Sequence, residues 1–327
     1  MKILSYKIYG GPEVLQVEDI PIPKPRPNEI LVQVQSVSLN PMDLHYLRAT
    51  LFPLRLANGL FQPKNPYLGA DISGVVTQIG SEIRSFRKGD KIFGRTKAGG
   101  FAEYTCIEET RACIKPSNIN YQEASAVPLA AITALQGLDK GSIKIGQKVL
   151  INGASGGVGS FAIQMAKYFD MKVTAVCSSK NINLVKSCGA DFVLDYTEDE
   201  LKENKEKYDL ILDIVGNLSV KETKGLLAEG GICVVIGFES YTKMFSSLYY
   251  NFKKYDRKGK NIKILNTNID PEDLHWIKTL IENGNIKPVI DKTYPFIDIK
   301  DAFRHLATKR TRGKIVISIN NFSKISL

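Results

Sequence analysis

The sequence predicts an α/β protein, a doubly wound parallel sheet inserted into a β-rich domain. Three observations carry this. Short period-two runs bounded by glycine dominate residues 1–118. After Pro116, strands and helices alternate at the spacing of parallel βαβ units. A last apolar run, 314–319, follows a finished α/β unit and needs a sheet to join, for which the first domain is the expected host. The expected division is therefore 1–118, 119–266, and a return to the first domain over 267–327.

The elements follow in order. Residues 1–6 alternate like a strand. Residues 19–27 hold four prolines and read as an extended connector, since each proline pushes the residue before it out of the α region. Residues 30–37 alternate with period two, and 74–80 form a short strand bounded by glycines. Residues 89–94 and 99–104 read as strands entered through glycine turns. Residues 124–137 read as a helix carrying a proline. Strands are then expected at 148–152, 172–177, 191–194, 208–215 and 231–236, with helices near 156–169, 182–188, 198–206 and 219–227 between them. Right-handed crossovers would put these helices on both faces of the sheet. Helices near 274–283 and 299–307 precede the final strand.

Composition narrows the class. A chain of 327 residues suits about two domains. With 43% hydrophobic and 24% charged residues it is ordinary globular protein, not disordered, collagen-like or low-complexity. The longest uncharged stretch, 149–166, contains four glycines and reads as strand, loop and helix start, not as a membrane span. No secretory leader is expected at the N-terminus. Five cysteines without a Cys-x-x-Cys pair argue against a disulfide framework and a zinc knuckle, so a reducing, cytoplasmic compartment is expected. The net charge of +10 is local: residues 253–263 carry six bases and one acid, 304–314 carry five bases and no acid, and the remainder is neutral. That excludes a uniformly basic nucleic-acid binder. The two patches suit nucleotide phosphates, an acidic membrane surface, or solvation alone.

The strongest local signal is Val149-Leu150-Ile151-Asn152-Gly153-Ala154-Ser155-Gly156-Gly157-Val158-Gly159. An apolar strand runs into a glycine cluster that opens a helix. Absent side chains let backbone N–H groups approach a pyrophosphate, and the helix N-terminus favours the anion. This is the dinucleotide fingerprint of a Rossmann unit with Ala154 in place of its first glycine; the alternative is a tight turn without ligand. About 20 residues on, NAD sites place Asp or Glu against the ribose 2′-hydroxyl. Here the second strand ends Val176-Cys177-Ser178-Ser179-Lys180, with hydroxyls and an ammonium instead of an acid. A 2′-phosphate is welcomed by Lys180, so NADPH is the expected cofactor. The same three residues also suit a helix start with Ser as N-cap.

At this point the chain resembles the medium-chain dehydrogenase/reductase superfamily, in its zinc-independent quinone oxidoreductase branch. The stations appear in order: Asn40-Pro41-Met42-Asp43, Gly69-Ala70-Asp71-Ile72-Ser73-Gly74, Gly89-Asp90-Lys91-Ile92-Phe93-Gly94, Gly99-Gly100-Phe101-Ala102-Glu103-Tyr104, Thr133-Ala134-Leu135, the phosphate loop, Gly189-Ala190-Asp191, and Arg312-Gly313-Lys314-Ile315-Val316. Ser178-Ser179-Lys180-Asn181 with Asp195-Tyr196 is similar to plant-type quinone oxidoreductase homologues and alkenal/enone reductases. The resemblance implies a groES-like catalytic domain, a Rossmann NADPH-binding domain and a homodimer. Zinc-dependent relatives place Cys and His ligands where this chain has Asn40 and Gly69-Ala70-Asp71, and 82–100 lacks the four cysteines of a structural zinc lobe. His45 is the one histidine of the first domain; His275 and His305 fall in expected C-terminal helices. No metal site is expected.

The resemblance also implies roles. Asn40 lies near nicotinamide and substrate, where its amide donates to a developing oxyanion; the alternative is a loop cap. His45 aligns with a tyrosine of some relatives and is a candidate proton relay, with a packed or exposed imidazole as the alternative. Tyr46 is the neighbouring candidate, and Asp43 fixes the local turn. Thr133 contacts the nicotinamide end. Ser155, Gly156, Gly157, Val158 and Gly159 flank the pyrophosphate. Ser178, Ser179, Lys180 and Tyr196 form the 2′-phosphate pocket. Gly216 and Gly237 end parallel strands where the nucleotide crevice opens. Phe238 covers the nicotinamide region or belongs to the core. The basic-aromatic segment 245–263 suits core or dimer contact, a substrate pocket, or a weak peripheral membrane contact. The expected function is NADPH-dependent, zinc-free hydride transfer to quinones or α,β-unsaturated carbonyls. The alternatives are an enoyl-thioester reductase and a catalytically silent NADPH-binding or interaction protein.

Overall fold

The computed structural model describes residues 1–49, 55–56, 58–198, 200–238 and 259–319. Two compact units divide the chain: Met1–Leu129 with Ile269–Glu282 and Pro288–Leu327, and Ala130–Asn268 with Asn283–Lys287.

The first unit is built on β3 (Glu29–Ser38), which pairs antiparallel with β4 (Asp71–Ile79) on one side, and with β6 (Tyr104–Glu108) and β15 (Lys314–Ser318) on the other. The sheet order is β14 (Ile290–Pro295), β15, β3, β4, β5 (Lys91–Arg95), β7 (Ala112–Ile114), and a separate pair joins β1 (Lys2–Tyr6) to β2 (Leu15–Asp19). The final strand thus finds its sheet on β3, with Ile317 opposite Val37. Burial explains the return. Phe303, on the helix Ile299–Ala307, meets Phe101 edge-on at 5.9 Å, and both join Ile30, Val32, Ile72, Ile92, Ile315 and Ile317 in one core. Past Asp19, which ends β2, the proline connector forms no regular element.

Two sequence expectations shift here. The strand expected at 99–104 starts only at Tyr104. Gly99 and Gly100 instead let two chain segments touch: a Cβ on Gly100 would stand 3.0 Å from the Gly69 backbone, and Gly100 N–H donates to the Gly69 carbonyl at 2.9 Å. The helix expected at 124–137 is two helices, Tyr121–Ser125 and Pro128–Lys140, because Pro128 is tolerated in a first turn but not inside a helix. Tyr121–Ser125 packs on the first sheet. Asn120 caps it in a reciprocal box with Glu123, Ser73 Oγ donates to the Tyr121 carbonyl at 2.6 Å, and Ser125 Oγ lies 3.1 Å from buried Ser36 Oγ. The first unit therefore runs to Leu129, past the expected boundary at 118.

The second unit is a six-stranded sheet of order β10 (Phe192–Asp195), β9 (Lys172–Cys177), β8 (Lys148–Asn152), β11 (Tyr208–Asp213), β12 (Leu227–Val235), β13 (Asn261–Ile264), parallel throughout. This is the doubly wound order of a Rossmann domain, and its switch point lies between β8 and β11. Val149, Leu150 and Ile151 are all fully buried, as a strand covered on both faces requires. The sixth strand was not expected; it carries only two apolar residues, inside a basic run.

Charge placement also differs from the sequence picture. Residues 253–258 of the first basic run, and 245–258 of the basic-aromatic segment, lie outside the described residues. Lys260 Nζ donates to the Lys224 carbonyl at 2.6 Å and Lys263 Nζ to the Lys140 carbonyl at 3.0 Å, so both serve helix C-termini. In the second run Arg304 pairs with Glu13 and Asp301, and Lys314 is buried.

Candidate functional site

In the second unit, β8 ends in Gly153, whose φ of +85° suits glycine, and the helix Gly157–Tyr168 starts from Gly156 as N-cap. No side chain caps this helix, and its first intrahelical acceptor, Gly156 O, takes Ser160 N–H at 2.9 Å. The amides of Gly157, Val158 and Gly159 precede that bond and face the helix N-terminus. The glycines have different reasons. A Cβ on Gly159 would stand 2.3 Å from Gly153 O and 2.6 Å from the Ala154 Cα, so Gly159 permits helix-on-strand packing. A Cβ on Gly156 would meet only Gly153 O, at 3.5 Å, and otherwise enter open space. That opening beside bare amides fits a pyrophosphate.

The hydroxyls beyond β9 divide by donor direction. Asn181 Nδ2 donates to Ser155 Oγ at 3.0 Å and to Ser178 Oγ at 3.3 Å. Each hydroxyl accepts there, which leaves its own proton for a phosphate oxygen. Ser179 differs: its Oγ lies 2.9 Å from Thr197 Oγ1, which donates to Asp195 Oδ1 at 2.6 Å, and Ser179 helps hold the Asp195 carboxyl below the usual range. The Ser179 proton is thus directed inward, and the expected phosphate contact from Ser179 is corrected to a positioning one. Asp195 stands opposite Cys177 in the register, so Ser178 and Tyr196 leave adjacent strand ends. Lys180 and Tyr196 are exposed, and Lys180 makes no ion pair among the described residues. Asn181 has no role on sequence grounds; its place three residues after Ser178 is the one local signal, and its bond to Ser155 is long-range.

At the switch point a buried carboxylate ties the strand ends together. Asp213 Oδ1 accepts from Asn152 Nδ2 at 2.8 Å and from Gly216 N–H at 2.9 Å, while Asn152 Nδ2 also reaches Asn217 Oδ1 at 2.7 Å. Gly216 has φ +68°, and a Cβ there would lie 1.8 Å from Gly237 O. Gly216 and Gly237 are therefore glycine because the turns after β11 and β12 abut. Thr133 Oγ1 is buried, 3.2 Å from Thr267 Oγ1. Phe238 packs against the sheet core of Leu150, Val176 and Ile211.

In the first unit, Asn40 begins the helix Pro41–Arg48 and is 4% exposed. Its N–H donates to Asp43 Oδ2 at 2.8 Å, and Asp43 Oδ1 accepts from Gly69 N–H at 3.1 Å. Its carboxamide is engaged at both ends. Oδ1 accepts from Lys314 Nζ at 2.6 Å; Nδ2 donates to Asp71 Oδ2 at 3.0 Å and points to Ser38 O at 3.5 Å. Asp71 also accepts from Arg95 at 2.8 Å and from Leu129 N–H at 3.3 Å. The expectation that Asn40 donates to an oxyanion is corrected: its donors are held by Asp71 and the backbone. Burial pushes the Asp43 carboxyl up to about 6, against its two amide donors, and pushes Lys314 down to about 8, against Asp71 and Asp43. His45 is half-buried, and burial, then Lys309 and Arg48, hold it below the usual imidazole range. It is neutral at pH 7. Tyr46 is 37% exposed. Among the described residues no group of three or more His, Cys, Asp or Glu is placed to hold a metal.

Residues 26–117 match the alcohol dehydrogenase GroES-like domain family, and 188–317 match the zinc-binding dehydrogenase family. The 2-methylene-furan-3-one reductase of Solanum lycopersicum is 35% identical, over 97% of this chain and 79% of its own length. The chloroplastic NADPH-dependent alkenal/one oxidoreductase of Arabidopsis thaliana is 33% identical over the same shares. Among solved structures, the quinone oxidoreductase of Coxiella burnetii superposes with TM-score 0.87 at 28% identity, over 98% of this chain and 99% of that one.

Proposed function

Because this chain belongs to the medium-chain dehydrogenase/reductase superfamily, among its zinc-independent quinone and alkenal/one oxidoreductases, we propose that it is an NAD(P)H-dependent reductase of quinones and activated alkenes, with NADPH as donor and a small α,β-unsaturated carbonyl as acceptor. One observation carries the cofactor half: the open cradle at Gly156, with two serine hydroxyls turned outward by Asn181 and no acid after β9.

NADPH, when bound, supplies the hydride. The chain's own residues bind and orient. The amides of Gly157, Val158 and Gly159 hold the pyrophosphate, with Ser155 donating beside them. Ser178 and Lys180 hold the 2′-phosphate, with Tyr196 alongside. Asp213 and Asn152 fix the loop after β11, and Thr133 borders the nicotinamide end. In the first unit Asn40 borders the acceptor as a fixed wall. His45, as a neutral imidazole, and the Tyr46 phenol are the groups of the Pro41–Arg48 helix that can orient the acceptor oxygen or pass it a solvent proton. A homodimer in a reducing cytoplasm completes the reading; five free cysteines suit such a compartment.

The test is NADPH oxidation followed by absorbance with a quinone, an alkenal and an enoyl thioester as separate acceptors. Turnover of the first two supports the reading. Preference for the thioester makes the chain an enoyl-thioester reductase, and tight NADPH binding with no turnover makes it a silent binding protein.

A further inference from the structure

An ammonium taken from water into a protein interior is repaid only by close opposite charge and well-placed acceptors. Lys314, at the start of β15, is 5% exposed. Asn40 Oδ1 at 2.6 Å and the Leu39 carbonyl at 3.0 Å accept from it, and Asp71 Oδ2 lies at 3.9 Å. The charged groups facing it are Asp71 on β4, Asp43 on the Pro41–Arg48 helix and Arg95 on β5. With both carboxylates ionised, these four charges cancel. Removing the ammonium leaves one uncompensated negative charge beside Asn40 and frees the Asn40 oxygen to turn.

We propose that Lys314 is a positioning residue for the reduction: its ammonium locks the Asn40 carboxamide between itself and Asp71, and completes the charge balance of the Asp71, Asp43 and Arg95 cluster beside the acceptor. This rests on the reading that Asn40 borders the acceptor. In the step concerned, NADPH when bound would supply a hydride, with its two electrons, to the β-carbon of the enone. The C=C pair shifts, leaving negative charge on the carbonyl oxygen, and a proton from solvent then completes the saturated carbonyl. Lys314 keeps its own proton throughout. What it contributes is a cluster without net negative charge where that oxygen becomes negative.

The experiment compares three variants with the wild-type chain, using an enone as acceptor. Lys314→Ala removes a propylammonium-sized group and leaves a cavity whose inner end faces Asn40 Oδ1 and the Leu39 carbonyl. Its kcat falls by about tenfold to a hundredfold with KM for NADPH unchanged, and added propylammonium raises kcat saturably while tetramethylammonium does not. Lys314→Met fills the cavity without charge, keeps the fold where alanine fails, and is as slow, with no rescue. Lys314→Arg keeps the charge and retains more activity than either. A Lys314→Met variant with wild-type kcat overturns the proposal, as does a Lys314→Ala variant whose melting temperature but not kcat responds to propylammonium. A wild-type chain that reduces no acceptor overturns the reading of Asn40 itself.

Discussion

Gly156→Ala separates a phosphate cradle from a tight turn. The backbone at Gly156, φ −80° and ψ 178°, is open to any residue, and the added Cβ meets only Gly153 O at ordinary contact distance, 3.5 Å. The cost to the empty fold is the N-cap preference of glycine over alanine, about 1 kcal/mol or less. The same methyl group stands where a pyrophosphate must approach the amides of Gly157 to Gly159. Losing two charge-assisted hydrogen bonds, at about 1.5 kcal/mol each, weakens NADPH by about 3 kcal/mol, or roughly 150-fold in Kd. Gly159→Ala is the contrast. Its Cβ, 2.3 Å from Gly153 O, forces helix and strand apart at a cost of about 1–3 kcal/mol with or without ligand. Calorimetric titration with NADPH and thermal melts of the free protein give both quantities. A Gly156→Ala chain that binds NADPH as tightly as wild type refutes the cradle.

Three further outcomes follow from the same geometry. Lys180→Ala weakens NADPH about tenfold and leaves NADH unchanged, because only the 2′-phosphate distinguishes the two; titration with both cofactors checks it. Asp213→Ala takes the acceptor from the Gly216 N–H and from one of the two Asn152 Nδ2 protons in a buried site, at about 1–3 kcal/mol each, so the melting temperature drops even without cofactor. Stability against pH has two signatures. Asp43, raised from 3.8 to about 6, holds a proton when folded that the unfolded chain has lost, so stability is greatest below 3.8 and declines as pH rises through about 6. Lys314, lowered from 10.5 to about 8, does the reverse at alkaline pH: the unfolded chain binds the extra proton, so stability increases as pH climbs from about 8 to 10.5. Denaturant melts of wild type, Asp43→Asn and Lys314→Met across pH check both, each variant losing its own signature.

Local chemistry was legible in the sequence; long-range charge placement was not. The strand into the glycine cluster, the helix it opens and the acid-free end of β9 are short-range patterns whose physics lies within a few residues. The Ser219 to Leu227 region was also readable, because Ser219 and Glu222 form a capping box around Val220–Leu226. Lys314 is indistinguishable in the sequence from the other bases of 304–314, because it follows four of them in ten residues, and only the pairing of β15 with β3 carries it inward. Asn40 reads from the sequence as an oxyanion donor or a loop cap, because nothing local shows that Asp71 and Lys314, far away in the chain, take both ends of its amide. Gly216 and Gly237 looked like ligand glycines, yet their mutual approach across β11 and β12 already requires them.

Steady-state reduction of an enone, with NADPH and NADH compared before and after exhaustive treatment with a zinc chelator, bears most directly on the whole account. Turnover that survives chelation unchanged, at least about tenfold more efficient with NADPH, is the predicted result. Turnover that vanishes with the chelator and returns with zinc, or that favours NADH, contradicts it.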